Sequence, residues 1–298
     1  MTDSQQLRVG DRDLTVTRPD KVLYPAAGFR KADLIDYYRR IAPALLPHLE
    51  GRPPTLVRAP DGVDGETFFA KNCPQHHPDW LRVAPGSPET GGTRGCLVDD
   101  EAALVWLANL AAIEWHTHQW RVEDPSRPTA MVIDLDPGAP ATILDCCRIA
   151  LTVRALLERL GLECVVKTSG RKGLHMSVPL IGAAVTDDDT KRFALAVGQW
   201  LEQREPDHVT TDMSRASRPG KVFVDWSQND AHKTTVCAYS LRVAEQPAVS
   251  APVTWDEVAD AAAPGDLAFG AAQVVERYER DGDHYAASLR LEQELPHL

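Results

Sequence analysis

Asp134 and Asp136 stand two residues apart at the end of the apolar run 130–135, with Pro137-Gly138 immediately after them. Along a strand, side chains at i and i+2 emerge on one face, so a strand here sets two carboxylates side by side at its end. Adjacent anions repel, and burial drives one of them to keep its proton unless a cation sits between them. Mg2+ or Mn2+ is the natural occupant, because hard divalent ions take oxygen ligands. Asp225, closing the apolar stretch Val222-Phe223-Val224, supplies a third oxygen ligand if its strand lies beside the first. Three carboxylates converging in this way suit a two-metal phosphoryl-transfer site. One ion lowers the pKa of an attacking 3′-hydroxyl, and the other neutralises a triphosphate and its pyrophosphate leaving group. Taken alone, Asp-x-Asp before Pro-Gly is more often a polar turn, and the neighbouring motifs shift that balance.

The first of these is Thr168-Ser169-Gly170-Arg171-Lys172-Gly173-Leu174-His175. Its glycines let backbone amides approach an anion, while Ser169, Lys172 and His175 can donate to phosphate oxygens. It has neither the Walker spacing nor the GxGxxG fingerprint, so by itself it reads equally as a glycine hairpin. With a Lys-Val-Phe-Val-Asp strand downstream, a triphosphate cradle is the better reading. His116 and His118 form an HxH before Gln119-Trp120, but no nearby His or Cys completes a zinc site, which favours a nucleotide contact or a structural role. Phe68-Phe69 is either core or a surface on which a template base stacks. Lys21 and Lys31 are either solvated or bind a terminal phosphate near a helix start.

Hydrophobic spacing lays out the chain around these motifs. Leu34, Ile35, Tyr38, Ile41, Leu45 and Leu46 predict a helix over Lys31–Leu49, with Pro43 able to kink it and Gly51-Arg52-Pro53-Pro54 as its stop. A loop-rich stretch with short strands runs to about residue 88, followed by a helix near 101–114. A strand at 130–135 precedes a helix over 140–160 that proline opens and Gly161 closes. Strands at 163–168 and 174–180 flank the glycine loop, a helix spans 190–204, and strands follow at 221–225 and near 235–239. Strands interleaved with single helices and one hairpin imply an α+β or mixed α/β core. The Pro/Ala-rich stretch 246–254 is the candidate subdomain edge.

Bulk properties narrow the function classes. With 298 residues, 43% of them hydrophobic, the chain can bury a sizeable core as one large domain or two packed halves. No stretch has the apolar length to span a bilayer, and the polar first eleven residues lack a signal-peptide core. The cysteines Cys73, Cys96, Cys146, Cys147, Cys164 and Cys237 are scattered without a CxxC pair, the pattern of reduced thiols in a cytoplasmic protein. A net charge of −11 argues at first against a nucleic-acid partner. Residues 243–298 hold eleven of the acids against Arg277, Arg280 and Arg290, so most of the negative charge sits in that acidic part. The segments 167–175 and 214–221 carry bases and no acids, and local patches matter more than the sum.

In order along the chain, Asp20-Lys21-Val22-Leu23-Tyr24-Pro25, Phe68-Phe69-x-Lys71, Asp134-Leu135-Asp136-Pro137, Thr168-Ser169-Gly170-x-Lys172-Gly173-Leu174-His175 and Lys221-Val222-Phe223-Val224-Asp225-Trp226-Ser227-Gln228-Asn229 together resemble the polymerase domain of bacterial ligase D, in the archaeo-eukaryotic primase superfamily. The resemblance runs from about residue 14 to 242. It implies a primase-like catalytic core with an RNA-recognition-like antiparallel sheet, packed against an N-terminal α/β module. The family domain would cover 10–290: a module at about 10–125, a core at 126–245 and an acidic helical part at 246–298. It implies a nucleotidyltransferase that adds nucleotides to DNA at gaps or broken ends, preferring ribonucleotides over deoxynucleotides and favouring Mn2+ over Mg2+. By position, Asp134, Asp136 and Asp225 would hold two metal ions. Ser169, Lys172, His175 and Arg242 would contact the triphosphate, His116 its sugar, and Gln228 and Lys233 would complete the nucleotide site. Lys21 and Lys31 would grip the 5′-phosphate of a downstream strand, and Phe68 and Phe69 would stack on the template.

The departures also carry expectations. The basic pair before the third aspartate is Arg215 and Arg218, which with Lys221 gives further basic contacts of matching charge but different geometry. A chain of this length leaves sealing to a separate ATP-dependent DNA ligase, with a Ku-like protein as a further partner, in the bacterial cytoplasm at the nucleoid. Nothing assigns a role to Cys73, His76 or His77. The alternatives are a gap-filling polymerase of excision repair, a non-catalytic DNA-end-binding module that recruits a ligase, and a metal-dependent nuclease or phosphatase.

Overall fold

In the computed structural model, which describes residues 4–88 and 91–296, the strand Ala130–Pro137 is third in a six-stranded sheet. The sheet order is Val209–Thr210, Val222–Asp225, Ala130–Pro137, Leu174–Pro179, Val165–Thr168, Pro252–Val253. Every pairing is antiparallel except the first, which is parallel. This mixed α/β architecture with an antiparallel central sheet is the one the sequence predicts. Residues 1–3 of the polar N-terminal stretch, and the last two of the acidic part, lie outside the described residues.

By contacts the chain divides into two units. One comprises 1–118, 236–250 and 269–282, the other 119–235, 251–268 and 283–298. The six-stranded sheet belongs to the second. There Met131, Ile133 and Leu135 are fully buried, and the Cys146 thiol on the helix Ile143–Arg159 lies 3.4 Å from the Leu135 carbonyl. That helix begins at Ile143, short of the predicted 140. Thr142 caps it, with Asp145 completing the reciprocal box, and Pro140 stays in the preceding loop. The helix Asp187–Arg204 starts the same way from Thr186 and Asp189, three residues earlier than apolar spacing alone implies.

The first unit is built on the helix Lys31–Leu49, whose bounds match the prediction. Leu34, Ile35, Tyr38, Ile41, Leu45 and Leu49 recur every three or four residues and are buried. The helix continues through Pro43 and Pro47. Its sheet runs Thr235–Val236, Ala112–Thr117, Thr55–Arg58, Phe68–Ala70. The helix predicted over 101–114 spans only Glu101–Asn109; Ala111 turns at φ +58° and a strand begins at Ala112. Residues 112–115 are buried without alternation because both faces of the strand are covered, and such a run cannot be told from a buried helix by period. An unanticipated hairpin, Ser4–Val9 with Arg12–Thr17, turns at Gly10 and buries Val9, Leu14 and Val16.

One cysteine expectation is overturned. Cys73 and Cys96 form a disulfide, their Cα atoms 4.7 Å apart. The hydrogen bond from the Cys73 amide to the Arg94 carbonyl brings the two segments together, a proximity no sequence spacing discloses. Cys146, Cys147, Cys164 and Cys237 take part in no disulfide. No helix among the described residues is long and apolar enough to cross a membrane.

Candidate active site

The ladder places the predicted acids. Asp134 and Asp225 are direct partners between adjacent antiparallel strands, so their side chains share a face, and Asp136 follows on that face two residues along. Asp134 is 5% exposed, and Asp136 and Asp225 are half-buried. Burial pushes the Asp134 carboxyl well above the usual carboxylate range, and the charges of Asp136 and Asp225 push it further. Lys167 and the Gln228 side chain pull the other way.

Asp225 also opens the short turn Trp226–Asn229. Its Oδ1 accepts from the Ser227 amide at 3.0 Å and from the Ser227 hydroxyl, to which Lys233 donates in turn; Lys233 Nζ lies 3.9 Å from Asp225 Oδ1. Asn229 pins this turn to the Asp134 strand. Its Oδ1 accepts from the Val132 amide at 2.7 Å and its Nδ2 donates to the Val132 carbonyl at 2.7 Å. The side chain thus imitates a neighbouring strand, a contact invisible in the sequence.

A divalent ion suits the carboxylates on one structural ground. Asp134 Oδ1 is buried and has no hydrogen-bond partner, a costly state for a carboxylate that a bound cation relieves. Among the described residues no three His, Cys, Asp or Glu side chains are placed so that they could hold a metal ion together. The three aspartates lie side by side along the ladder instead, with the buried, unpartnered oxygen on Asp134.

The glycine loop is tighter than an open cradle. Ser169 Oγ accepts from the Gly173 amide at 3.0 Å and the Arg171 amide at 3.2 Å, and the Ser169 amide donates to the Gly173 carbonyl at 2.8 Å. Three backbone amides of the loop, those of Ser169, Arg171 and Gly173, are therefore engaged within it, and Lys172 is left exposed. A Cβ at Gly173 would stand 2.0 Å from the Leu135 carbonyl oxygen, so only glycine lets the loop lie against the end of the Asp134 strand. His175 partners Asp134 on the strand's other edge, with Nε2 3.4 Å from Asp134 Oδ1.

The first unit holds the other predicted nucleotide contacts. His116 and Arg242 meet on Glu114, which the sequence reading passed over. Glu114 Oε2 lies 2.7 Å from His116 Nε2; Oε1 accepts from the Val243 amide at 2.8 Å and lies 3.3 Å from Arg242 Nε. Burial alone would raise the Glu114 carboxyl, but the His116 hydrogen bond and the Arg242 charge hold it down at about 2. Its signal in the sequence is its position two residues before His116, on the same face of the strand Ala112–Thr117.

Lys21 and Lys31 are joined through backbone, the Lys31 amide donating to the Lys21 carbonyl. Lys21 Nζ pairs with Asp61 at 2.6 Å, while Lys31 is buried and donates to the Thr17 carbonyl at 2.8 Å. Phe68 and Phe69 are 41% and 68% exposed, which rules out a core role; the Arg58 guanidinium covers Phe68, and Phe69 stands edge-on to His116. In the second unit, Arg215 is exposed, Arg218 stacks on Phe223 at 3.7 Å from the ring centre, and Lys221 Nζ donates to the Pro206 carbonyl.

Residues 30–285 match the family model for the LigD primase-polymerase domain. A multifunctional non-homologous end joining protein LigD of Mycolicibacterium smegmatis is 46% identical over 247 residues, 82% of this chain and 32% of that protein. The bifunctional LigD of Bacillus subtilis is 31% identical over 95% of this chain and 45% of its own length. The chain thus spans about a third to under half the length of these relatives. The solved polymerase domain from Mycobacterium tuberculosis ligase D, in complex with DNA, superposes with a TM-score of 0.86 at 41% identity, covering 93% of this chain and 98% of that one.

Proposed function

Because this chain belongs to the LigD primase–polymerase domain family, we propose that it is a DNA-dependent nucleotidyltransferase that extends 3′ ends at gaps or breaks during non-homologous end joining. The observation that carries this reading is the cross-strand pair Asp134–Asp225, with Asp136 on the same face and a buried, unpartnered oxygen on Asp134. In this reading the three aspartates hold two divalent ions, Mn2+ in preference to Mg2+. Such ions supply charge neutralisation at the triphosphate and a lowered pKa at the attacking 3′-hydroxyl.

The chain's own residues bind and orient. Lys172 and Lys233 bring positive charge to the β- and γ-phosphates, Ser169 shapes the loop that presents Lys172, and His175 faces the phosphates beside Asp134. Gln228 fixes the Asp134 carboxylate. His116 reads the sugar, ribose over deoxyribose, and Arg242 contacts the triphosphate, both held by Glu114. The reaction joins the 3′-oxygen to the α-phosphorus and releases pyrophosphate, so positioning supplies most of the catalysis.

For DNA, Lys21 and Lys31 bind the 5′-phosphate of the downstream strand, where the phosphate displaces Asp61 from Lys21. Phe68 and Phe69 stack on the template, and Arg215, Arg218 and Lys221 add phosphate contacts. A Ku-like protein and an ATP-dependent DNA ligase are the partners that this chemistry calls for.

A gapped duplex tests the reading. Extension should be greater with a 5′-phosphate than with a 5′-hydroxyl downstream, with ribonucleotides than with deoxynucleotides, and in Mn2+ than in Mg2+. Trimming of the primer without pyrophosphate release would instead identify a hydrolase.

A further inference from the structure

The face of the sheet that carries the aspartates holds one more charged side chain that this reaction leaves unused. Lys167, on the strand Val165–Thr168, is 3% exposed. Its partner across the ladder is His175, whose partner on the next strand is Asp134, whose partner in turn is Asp225. Direct partners in antiparallel strands project to one face. Lys167, His175, Asp134 and Asp225 therefore form an unbroken polar row across four strands. The contacts follow the row: Lys167 Nζ lies 2.9 Å from His175 Nδ1, and His175 Nε2 lies 3.4 Å from Asp134 Oδ1.

The donor inventory fixes the direction of the first contact. A lysine ammonium carries three donors and no acceptor, and a neutral imidazole has one nitrogen that donates and one that accepts. Facing the ammonium, Nδ1 must accept, which leaves the ring proton on Nε2. That proton faces the Asp134 carboxyl and, in the polymerase reading, the triphosphate, whose anionic oxygens can only accept. The opposite tautomer would turn a lone pair toward those anions.

We propose that Lys167 is a positioning residue: it holds His175 in the Nε2–H tautomer, so that the imidazole turns its proton to the phosphate side, near Asp134 Oδ1 but not hydrogen-bonded to it, and offers a donor to a phosphate oxygen of the incoming nucleoside triphosphate. The phosphate half of this inference rests on the polymerase reading above; the tautomer belongs to the chain itself. Lys167 acts through His175 and touches no substrate.

Nitrogen-15 spectra of the histidine-labelled full-length chain, with His175 assigned through His175→Asn, read the tautomer directly. The wild type should show a single Nε2–H tautomer with Nδ1 accepting a hydrogen bond. In Lys167→Met, which fills similar space without charge, the His175 signals should move to those of a ring exchanging its proton between the two nitrogens. In the gap-extension assay, Lys167→Met should raise the nucleotide KM about tenfold with a smaller change in kcat, the effect of losing one hydrogen bond to a charged group. Lys167→Arg, which keeps a charged donor, should stay near the wild type in both readouts. A wild-type His175 carrying its proton on Nδ1 overturns the proposal without any variant, as does a Lys167→Met protein with unchanged His175 signals or an unchanged KM. Failure of the wild type to extend any primer contradicts the polymerase reading instead, while the nitrogen spectra still decide the Lys167–His175 contact.

Discussion

At the scale of single residues, two buried carboxylates behave in opposite ways for reasons their neighbours supply. Asp134 is crowded by Asp136 and Asp225, and its carboxyl is raised; Glu114 is held by His116 and Arg242, and its carboxyl is lowered to about 2. Asp134→Asn removes a buried repulsion, so in the presence of a chelator it should raise the thermal midpoint by a few degrees. The same substitution should abolish any rise in midpoint on adding Mn2+, which scanning calorimetry with and without the ion measures. Glu114→Gln loses a charge-assisted contact to both His116 and Arg242 and should cost about 1.5–3 kcal/mol in urea unfolding. Its pH signature has a definite sign. A carboxyl lowered by folding contributes stability above its ordinary value of 4.5 and loses it as the pH falls toward about 2. Wild-type stability should therefore fall more steeply than that of Glu114→Gln across this window, and parallel pH profiles would contradict the Glu114 account. The sequence disclosed Asp134 and Asp136 because their spacing is local. It hid Glu114, Asn229 and Lys167 because what each does depends on a partner strand.

Elements show the same division. The helix Lys31–Leu49 and the strands around the glycine loop were legible because an amphipathic period or a flanking turn marks them. The strand Ala112–Thr117 was not, because burial on both faces erases alternation. The helix starts at Ile143 and Asp187 were missed for a local reason, since Thr142 and Thr186 are capping signals that the apolar spacing ignores. In the glycine loop, Gly173→Ala forces the added carbon against the Leu135 carbonyl. It should destabilise the chain by about 1–3 kcal/mol and weaken triphosphate binding, checked by urea unfolding and nucleotide titration. The Cys73–Cys96 link closes a loop of sequence separation 23, so reductant or Cys96→Ser should lower stability by about 2–4 kcal/mol. Reductant should have no further effect on the Cys96→Ser protein.

For the molecule as a whole, composition misleads and arrangement informs. The net charge of −11 disfavours a nucleic-acid ligand, yet most of that net charge falls at 243–298, where bases are few, while basic segments flank the carboxylate row along the chain. The overall class was legible because several short motifs fall in order over most of the chain, and the match of residues 30–285 to one family agrees with it. The central claim is that Asp134, Asp136 and Asp225 together hold the ions for nucleotide addition. Single-nucleotide incorporation into a gapped duplex, titrated with Mn2+ for the wild type and for Asp134→Asn, Asp136→Asn and Asp225→Asn, tests it most directly. The account predicts Mn2+-dependent incorporation by the wild type and a loss of about a thousandfold or more in each variant. Incorporation by Asp225→Asn at the wild-type rate and Mn2+ dependence would contradict it.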